Sequence, residues 1–368
     1  VNGLGITDGL LARAQRVADT LDADAWELLS GRAALRNHAP RQRISAGGAT
    51  RLFRAGDGWC ALTLSRDDDV AAVPALLEAD DCAPDPWPQI ERWATARSTA
   101  DVVERAALLD LPVAALGEVD AAAPRVIGCG TAGPARPVAG LLVVDLTSMW
   151  AGPLCGHLLA RAGATVVKVE SPTRPDGTRA GDRDFFDWLN GGKLSYRADF
   201  DHDREALLRL LSAADVVLEG SRPDALARRG LGPHDIPPLP GRVWVQITGH
   251  GSDEERRRRV AFGDDAAVAG GLVGRGPSAE PVFLGDAIAD PLTGLIAAAE
   301  VFDAVRRGGG LLVQIAMAAV AATFAPSTVG DPVSRVPQAP RVGVRAPEPG
   351  AHQADVDRLV AQRIGAPC

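Results

Sequence analysis

Short apolar runs and longer amphipathic stretches alternate through the second half of the chain. Leu141–Leu146, bounded by Gly140, is an apolar run of the length expected for a strand buried in a parallel sheet. Thr147 and Ser148 can cap a helix after it, Pro153 suits a first helical turn, and Leu154, Leu158 and Leu159 share one face. Gly163 closes that helix, and Thr165–Val169 is a second β-branched strand ending at Glu170. The unit is a βαβ of about 30 residues, the size of a nucleotide-binding half. It lacks a GxGxxG, so a dinucleotide fingerprint is not what it offers.

The alternation continues. Asp203–Leu211 predicts an amphipathic helix, Asp215–Glu219 a third strand, Ser221–Arg229 a short helix with Gly230 past its end, and Val243–Thr248 a fourth strand. Asp290–Arg307 is a long apolar helix, Leu311–Ile315 a last strand and Met317–Phe324 another helix. Strands alternating with helices predict an α/β fold: a doubly wound, Rossmann-like parallel sheet. Ser171–Asp184 reads as a polar loop.

The first 130 residues are patterned differently. Residues 8–35 show helical spacing, Thr50–Arg54 and Gly58–Leu64 alternate as a hairpin, and Asp67–Ala79, Gln89–Thr95 and Asp101–Leu109 read as helices. Leu111–Leu116 is a candidate edge strand. The expected division is a smaller α+β domain over 1–130, a linker over 131–137 (TAGPARP) and the Rossmann-like domain over 138–325. A Pro/Gly-rich tail over 326–368 carries a short helix at Asp355–Arg363.

Composition narrows the class. With 46% hydrophobic residues in 368, the chain can bury a sizeable core, which excludes a disordered or fibrous class. A net charge of −8 argues against nucleic-acid binding. The five cysteines are scattered and form no CxxC, as in a reduced cytoplasmic protein. No apolar stretch is long enough for a membrane span, and the first residues lack a signal-peptide pattern. The first residue is Val rather than Met, which leaves the true N-terminus open.

Several stretches together resemble the class III CoA-transferases, a family that includes formyl-CoA transferase, carnitine CoA-transferase and the α-methylacyl-CoA racemases. They are DLTSMWAGPLCGHLLARAGATVVKVESP, LNGGKLSY, ADVVLEGSRPDALARRGLG, VQITGHG, ADPLTGLIAAAEVFDAV and GGGLLVQIAM, in the family's order from Leu141 to about Phe324. The first 130 residues, with GGATRLFRAGDGWCALTLSRDDD, resemble the family's second half, so the domain order looks permuted.

The resemblance implies an acyl-CoA transferase whose nucleophile is Asp290, in Asp290-Pro291-Leu292-Thr293-Gly294, with Asp286 as competitor. An aspartate at a helix start faces free amides that favour an anion, and a desolvated carboxylate can attack a thioester. From residue type alone Asp290 also reads as a simple helix cap. Coenzyme A, a substrate rather than a resident cofactor, is implied to meet Met149, Trp150 and Ala151 after the first strand, Lys193, Gly220 and Arg228. Lys193 and Arg228 suit phosphates, and both also read as solvated surface charges. Where the family often has an adenine-stacking Arg, this chain has Ser171, with Arg174 or Arg179 as substitutes. The partners implied are acyl-CoA and a carboxylic acid acceptor, in a homodimer, with no metal.

Two alternatives stay open: a racemase and a CoA-binding protein without catalysis. The racemases' His–Asp pair has no counterpart in Val260–Ala266, where only Asp264 and Asp265 offer a second base. His250, in Gly249-His250-Gly251, reads as a packing residue, and Arg256–Arg259 as a solvated loop or a phosphate contact.

Overall fold

The structure, a computed structural model, describes residues 3–325 and 335–365. The N-terminal part runs α1 (Asp8–Ala18), α2 (Ala25–Arg36), β1 (Thr50–Arg54), β2 (Trp59–Thr63), α3 (Asp67–Ala71), α4 (Val73–Leu77), α5 (Trp87–Thr95), α6 (Thr99–Leu108) and β3 (Val113–Ala115). Next come β4 (Arg125–Gly128), β5 (Leu142–Asp145), α7 (Ala151–Arg161), β6 (Thr165–Glu170), α8 (Arg183–Asn190), β7 (Leu194–Arg197), α9 (Arg204–Ala213), β8 (Val216–Glu219) and β9 (Val243–Thr248). The chain closes with α10 (Gly263–Ala269), the short pair β10 (Gly274–Arg275) and β11 (Pro281–Val282), α11 (Ala289–Arg306), β12 (Leu311–Ala316), α12 (Met317–Phe324) and α13 (Gln353–Gly365).

Seven strands form one sheet in the order β4-β12-β9-β8-β5-β6-β7, all parallel except β4. Alternation within each strand feeds two cores, because successive side chains leave opposite faces. Val143, Val216, Val245 and Ile315 join the layer of α7, α10, α11 and α12, whereas Val144, Val217 and Trp244 meet α9 and α13. From β5 the chain builds outward to β6 and β7, then returns to add β8 on the other side. Strand order therefore reverses between β5 and β8, and open α/β sheets bind ligands in the crevice at the carboxyl ends of such a pair. The turns after β5 and β8 meet there: a Cβ on Gly220 would lie 3.4 Å from the Thr147 side chain.

The N-terminal part is not one separate body. β1, β2 and β3 form an antiparallel sheet, and Phe53, Leu62, Trp87 and Ile90 build a core of their own beneath it. Leu10, Ala14, Leu28 and Leu29 of α1 and α2 instead join the main core on the α11 side. β4 extends the large sheet, so the expected boundary at 130 cuts through it.

Other expectations shift for local reasons. Asp67–Ala79 is two helices, with Pro74 at the start of the second, where its missing amide costs least. Ser221–Arg229 forms only a single 3-10 turn, Ala227–Arg229, closed by Gly230 at φ 65°. The polar loop after β6 contains the start of α8, capped by Asp182, with Phe185, Phe186, Trp188 and Leu189 buried. The tail's helix docks through Val356 and Val360 into the α9 layer. Among the described residues, no helix is long and apolar enough to cross a membrane, and four cysteines are free thiols.

Candidate active site

Three helices begin at one point. α11 starts at Ala289, α7 at Ala151 and α10 at Gly263, and each start leaves unpaired amides and a positive dipole end. Asp290 stands among them, in the first turn of α11. It does not cap its helix: the cap position is Ile288 and no side chain bonds there. Two glycines permit the approach. A Cβ on Gly263 would fall 2.3 Å from Asp290 Oδ2, and one on Gly294 would fall 2.6 Å from the Ala151 carbonyl.

Burial pushes the Asp290 carboxyl up to about 7. The Arg32 guanidinium opposes that rise and the Asp264 charge adds to it, while the amides of Ala151 and Gly263 favour the carboxylate. Arg32 arrives from α2. Its Nε donates to Asp286 Oδ2 at 2.7 Å and its Nη2 to Asp286 Oδ1, and its cationic plane lies 4.4 Å from the Trp150 ring centroid. His38 Nε2 meets the same carboxylate at 2.7 Å. Despite full burial, Asp286 is held well below the usual carboxylate range by Arg32 and His38. Asp286 is therefore committed as a counter-ion, whereas Asp290 has no ion-pair partner among the described residues.

The small sheet covers the other side. Asp264 Oδ2 accepts from Thr50 at 3.3 Å and Asp265 Oδ1 from Thr63 at 2.8 Å. Burial raises these carboxyls to about 6 and about 7.

The other expected residues divide. Met149, Trp150 and Ala151 form the turn into α7, with Met149 exposed and Trp150 buried with its indole N–H unpartnered among the described residues. Gly220 is exposed at the crevice, and Arg228 is exposed on the turn beyond β8. Lys193 requires correction: it is buried, and Nζ donates to Asp145 at 2.8 Å, Pro153 O at 2.9 Å and Asn190 at 3.0 Å. All three ammonium hydrogens are committed, so none remains for a phosphate. Arg179 is likewise occupied, by Glu170 and the Pro347 carbonyl, whereas Arg174 is exposed. The arginine run is not simply solvated: Arg259 bonds Glu118 and Val113 O, and Arg257 pairs with Asp224. His250 is buried, and burial pushes it down to about 3.

Arg32, His38, Thr50 and Thr63 escape the sequence reading because each lies more than 200 residues from the aspartate it meets. No local pattern marks such pairs.

The family profile described as CoA-transferase family III matches residues 138–360, more than half of the chain. The chain belongs to CoA-transferase family III. Among similar proteins is the probable fatty acyl-CoA transferase Rv3272 of Mycobacterium tuberculosis, 32% identical over 208 residues, covering 52% of this chain and 53% of that protein. Another is succinyl-CoA–D-citramalate CoA-transferase of Chloroflexus aurantiacus, 32% identical over 198 residues and covering 50% and 49%. A crystal structure of a CAIB/BAIF family protein from Brucella suis is 31% identical, with a TM-score of 0.46 over 51% of this chain and 55% of that one. The chain spans about half the length of the curated relatives it matches.

Proposed function

We propose that this protein transfers CoA between carboxylic acids, with Asp290 as the nucleophile. The observation that carries this is the Asp290 carboxylate at the meeting of three helix starts, beside Arg32. Asp290 attacks the acyl-CoA carbonyl, the C–S bond breaks, and CoA leaves as thiolate while an aspartyl anhydride forms. The thiolate attacks the aspartyl carbonyl and expels the first acid as carboxylate, leaving an aspartyl-CoA thioester. The acceptor carboxylate attacks that thioester, and the returning thiolate takes the new acyl group, freeing Asp290. The amides of Ala151 and Gly263 favour negative charge on the Asp290 oxygens, as an oxyanion site requires. Met149–Ala151, Gly220 and Arg228 would hold CoA along the strand ends.

Relatives named for succinyl-CoA support a small acyl donor of that kind. Free cysteines among the described residues fit a cytoplasmic setting, and we include a homodimer in the proposal, to be checked by light scattering. A second reading, α-methylacyl-CoA racemisation, draws on Asp264, a second titratable carboxyl close enough to shift Asp290.

The test is incubation of the protein with a panel of acyl-CoAs and free acids, in heavy water, with mass analysis of the thioester products. New acyl-CoA species with unchanged α-hydrogens support transfer. Deuterium at the α-carbon without a new thioester supports racemisation, and CoA binding with neither product overturns both.

A further inference from the structure

Met149, in the turn between β5 and α7, has φ 73°, the left-handed region that any residue with a Cβ avoids. An outside group holds it there. The Met149 N–H donates to both oxygens of Asp176, at 3.2 and 3.3 Å. Asp176 is buried and also accepts from Thr178 N at 3.0 Å and Thr178 Oγ1 at 2.7 Å, and its carboxylate lies 2.9 Å from Lys168 Nζ. Lys168, equally buried, donates in turn to the Thr147 carbonyl at 2.9 Å. The ion pair therefore clasps the turn at both ends, through the carbonyl before it and the amide within it. Glu170 anchors the clasp by accepting from the Asp176 amide at 3.1 Å. Two residues beyond Met149 comes Ala151, which opens α7 against the turn of α11 that follows Asp290: a Cβ on Gly294 would fall 2.6 Å from the Ala151 carbonyl, and the Ala151 amide is among the groups that favour the Asp290 carboxylate.

Buried ion pairs are poor sources of stability, because desolvation cancels most of their attraction. Their directional bonds are what an apolar pair could not supply. We propose that Asp176 and Lys168 are positioning residues for Asp290: they keep Met149 left-handed and thereby aim the Ala151 amide at the Asp290 carboxylate. The proposal rests on Asp290 as the reacting group.

The test is a double-mutant cycle in the full chain, combining Asp176→Asn with Met149→Gly. It reads acyl transfer, melting temperature and hydrogen exchange over residues 147–154. Glycine adopts the left-handed conformation without help. Asp176→Asn is expected to slow transfer about tenfold or more in the native background, and by less than about threefold in the Met149→Gly background. Its loss of melting temperature stays equal in both, since Lys168 loses its partner either way. An equal loss of rate in both backgrounds would show a purely structural role and overturn the proposal. Should Asp176→Asn not fold, the apolar pair Lys168→Met with Asp176→Leu takes its place, with the same expected cycle. A wild-type protein that transfers nothing sinks the transferase reading instead. Exchange then still decides the clasp: Asp176→Asn must accelerate it over 147–154, and unchanged exchange refutes it.

Discussion

Gly263→Ala tests the meeting of helix starts with a single methyl group. Its Cβ would lie 2.3 Å from Asp290 Oδ2, 2.4 Å from the Ala287 carbonyl oxygen and 2.9 Å from its carbon. Two of these three contacts are backbone, so no side-chain rotation relieves them. An ordinary carbon–oxygen contact needs about 1 Å more than this, so the start of α10 must move off the start of α11 by roughly that amount. Overpacking of this kind costs about 1–3 kcal/mol. The larger effect falls on chemistry: a displacement of about 1 Å between a reacting group and its supports is worth about 100-fold in rate. Acyl transfer measured alongside a urea titration separates the two. The expected result is a fall in kcat of about 100-fold, with most of the protein still folded at zero denaturant. A variant within about threefold of wild type in kcat would refute this packing of Gly263 on Asp290 as the source of its alignment.

The same site carries other expected outcomes. Arg32→Met leaves Asp286 buried with His38 alone, and urea unfolding should show a loss of about 3–5 kcal/mol. Asp290, raised from 3.8 to about 7, contributes stability that is complete below pH 4 and is lost as pH rises through 7. Asp290→Asn should therefore gain on wild type between pH 4 and 8, by up to about 4 kcal/mol, and parallel stability curves across that range would contradict the raised carboxyl. Transfer should rise with pH through about 7 as Asp290 ionises, and a rate independent of pH from 5 to 8 would exclude it as the titrating nucleophile. Gly9→Ala in α1, where a Cβ meets nothing within 4 Å, should raise stability by up to about 1 kcal/mol and leave kcat unchanged.

The sheet is legible in the sequence because its signals are local. Leu142, Val143 and Val144 are apolar on both faces, and each face has a helical layer to bury it. Asp290 is singled out by the family resemblance alone, since its residue type by itself reads as a helix cap, a role the structure does not give it. α8 is hidden because it is short and starts inside the polar Ser171–Asp184 stretch, and because all six residues Phe185–Asn190 are buried, so no alternation of faces marks it as a helix. Lys193 misleads in the opposite direction: a lysine between glycine and leucine looks exposed, and only the fold brings Asp145 to it from 48 residues away. The half of the site supplied by Arg32, His38, Thr50 and Thr63 depends on how the N-terminal part docks. That docking rests on apolar burial of α1 and α2 against α11, which states no register in advance.

Mass spectrometry of the intact and digested protein after brief exposure to an acyl-CoA tests the nucleophile most directly. The expected result is a mass gain of the acyl group or of CoA on the peptide bearing Asp290, released by hydroxylamine and absent from a folded Asp290→Ala variant. An adduct that persists in that variant, or one carried by Asp286 or Asp264, would contradict the assignment.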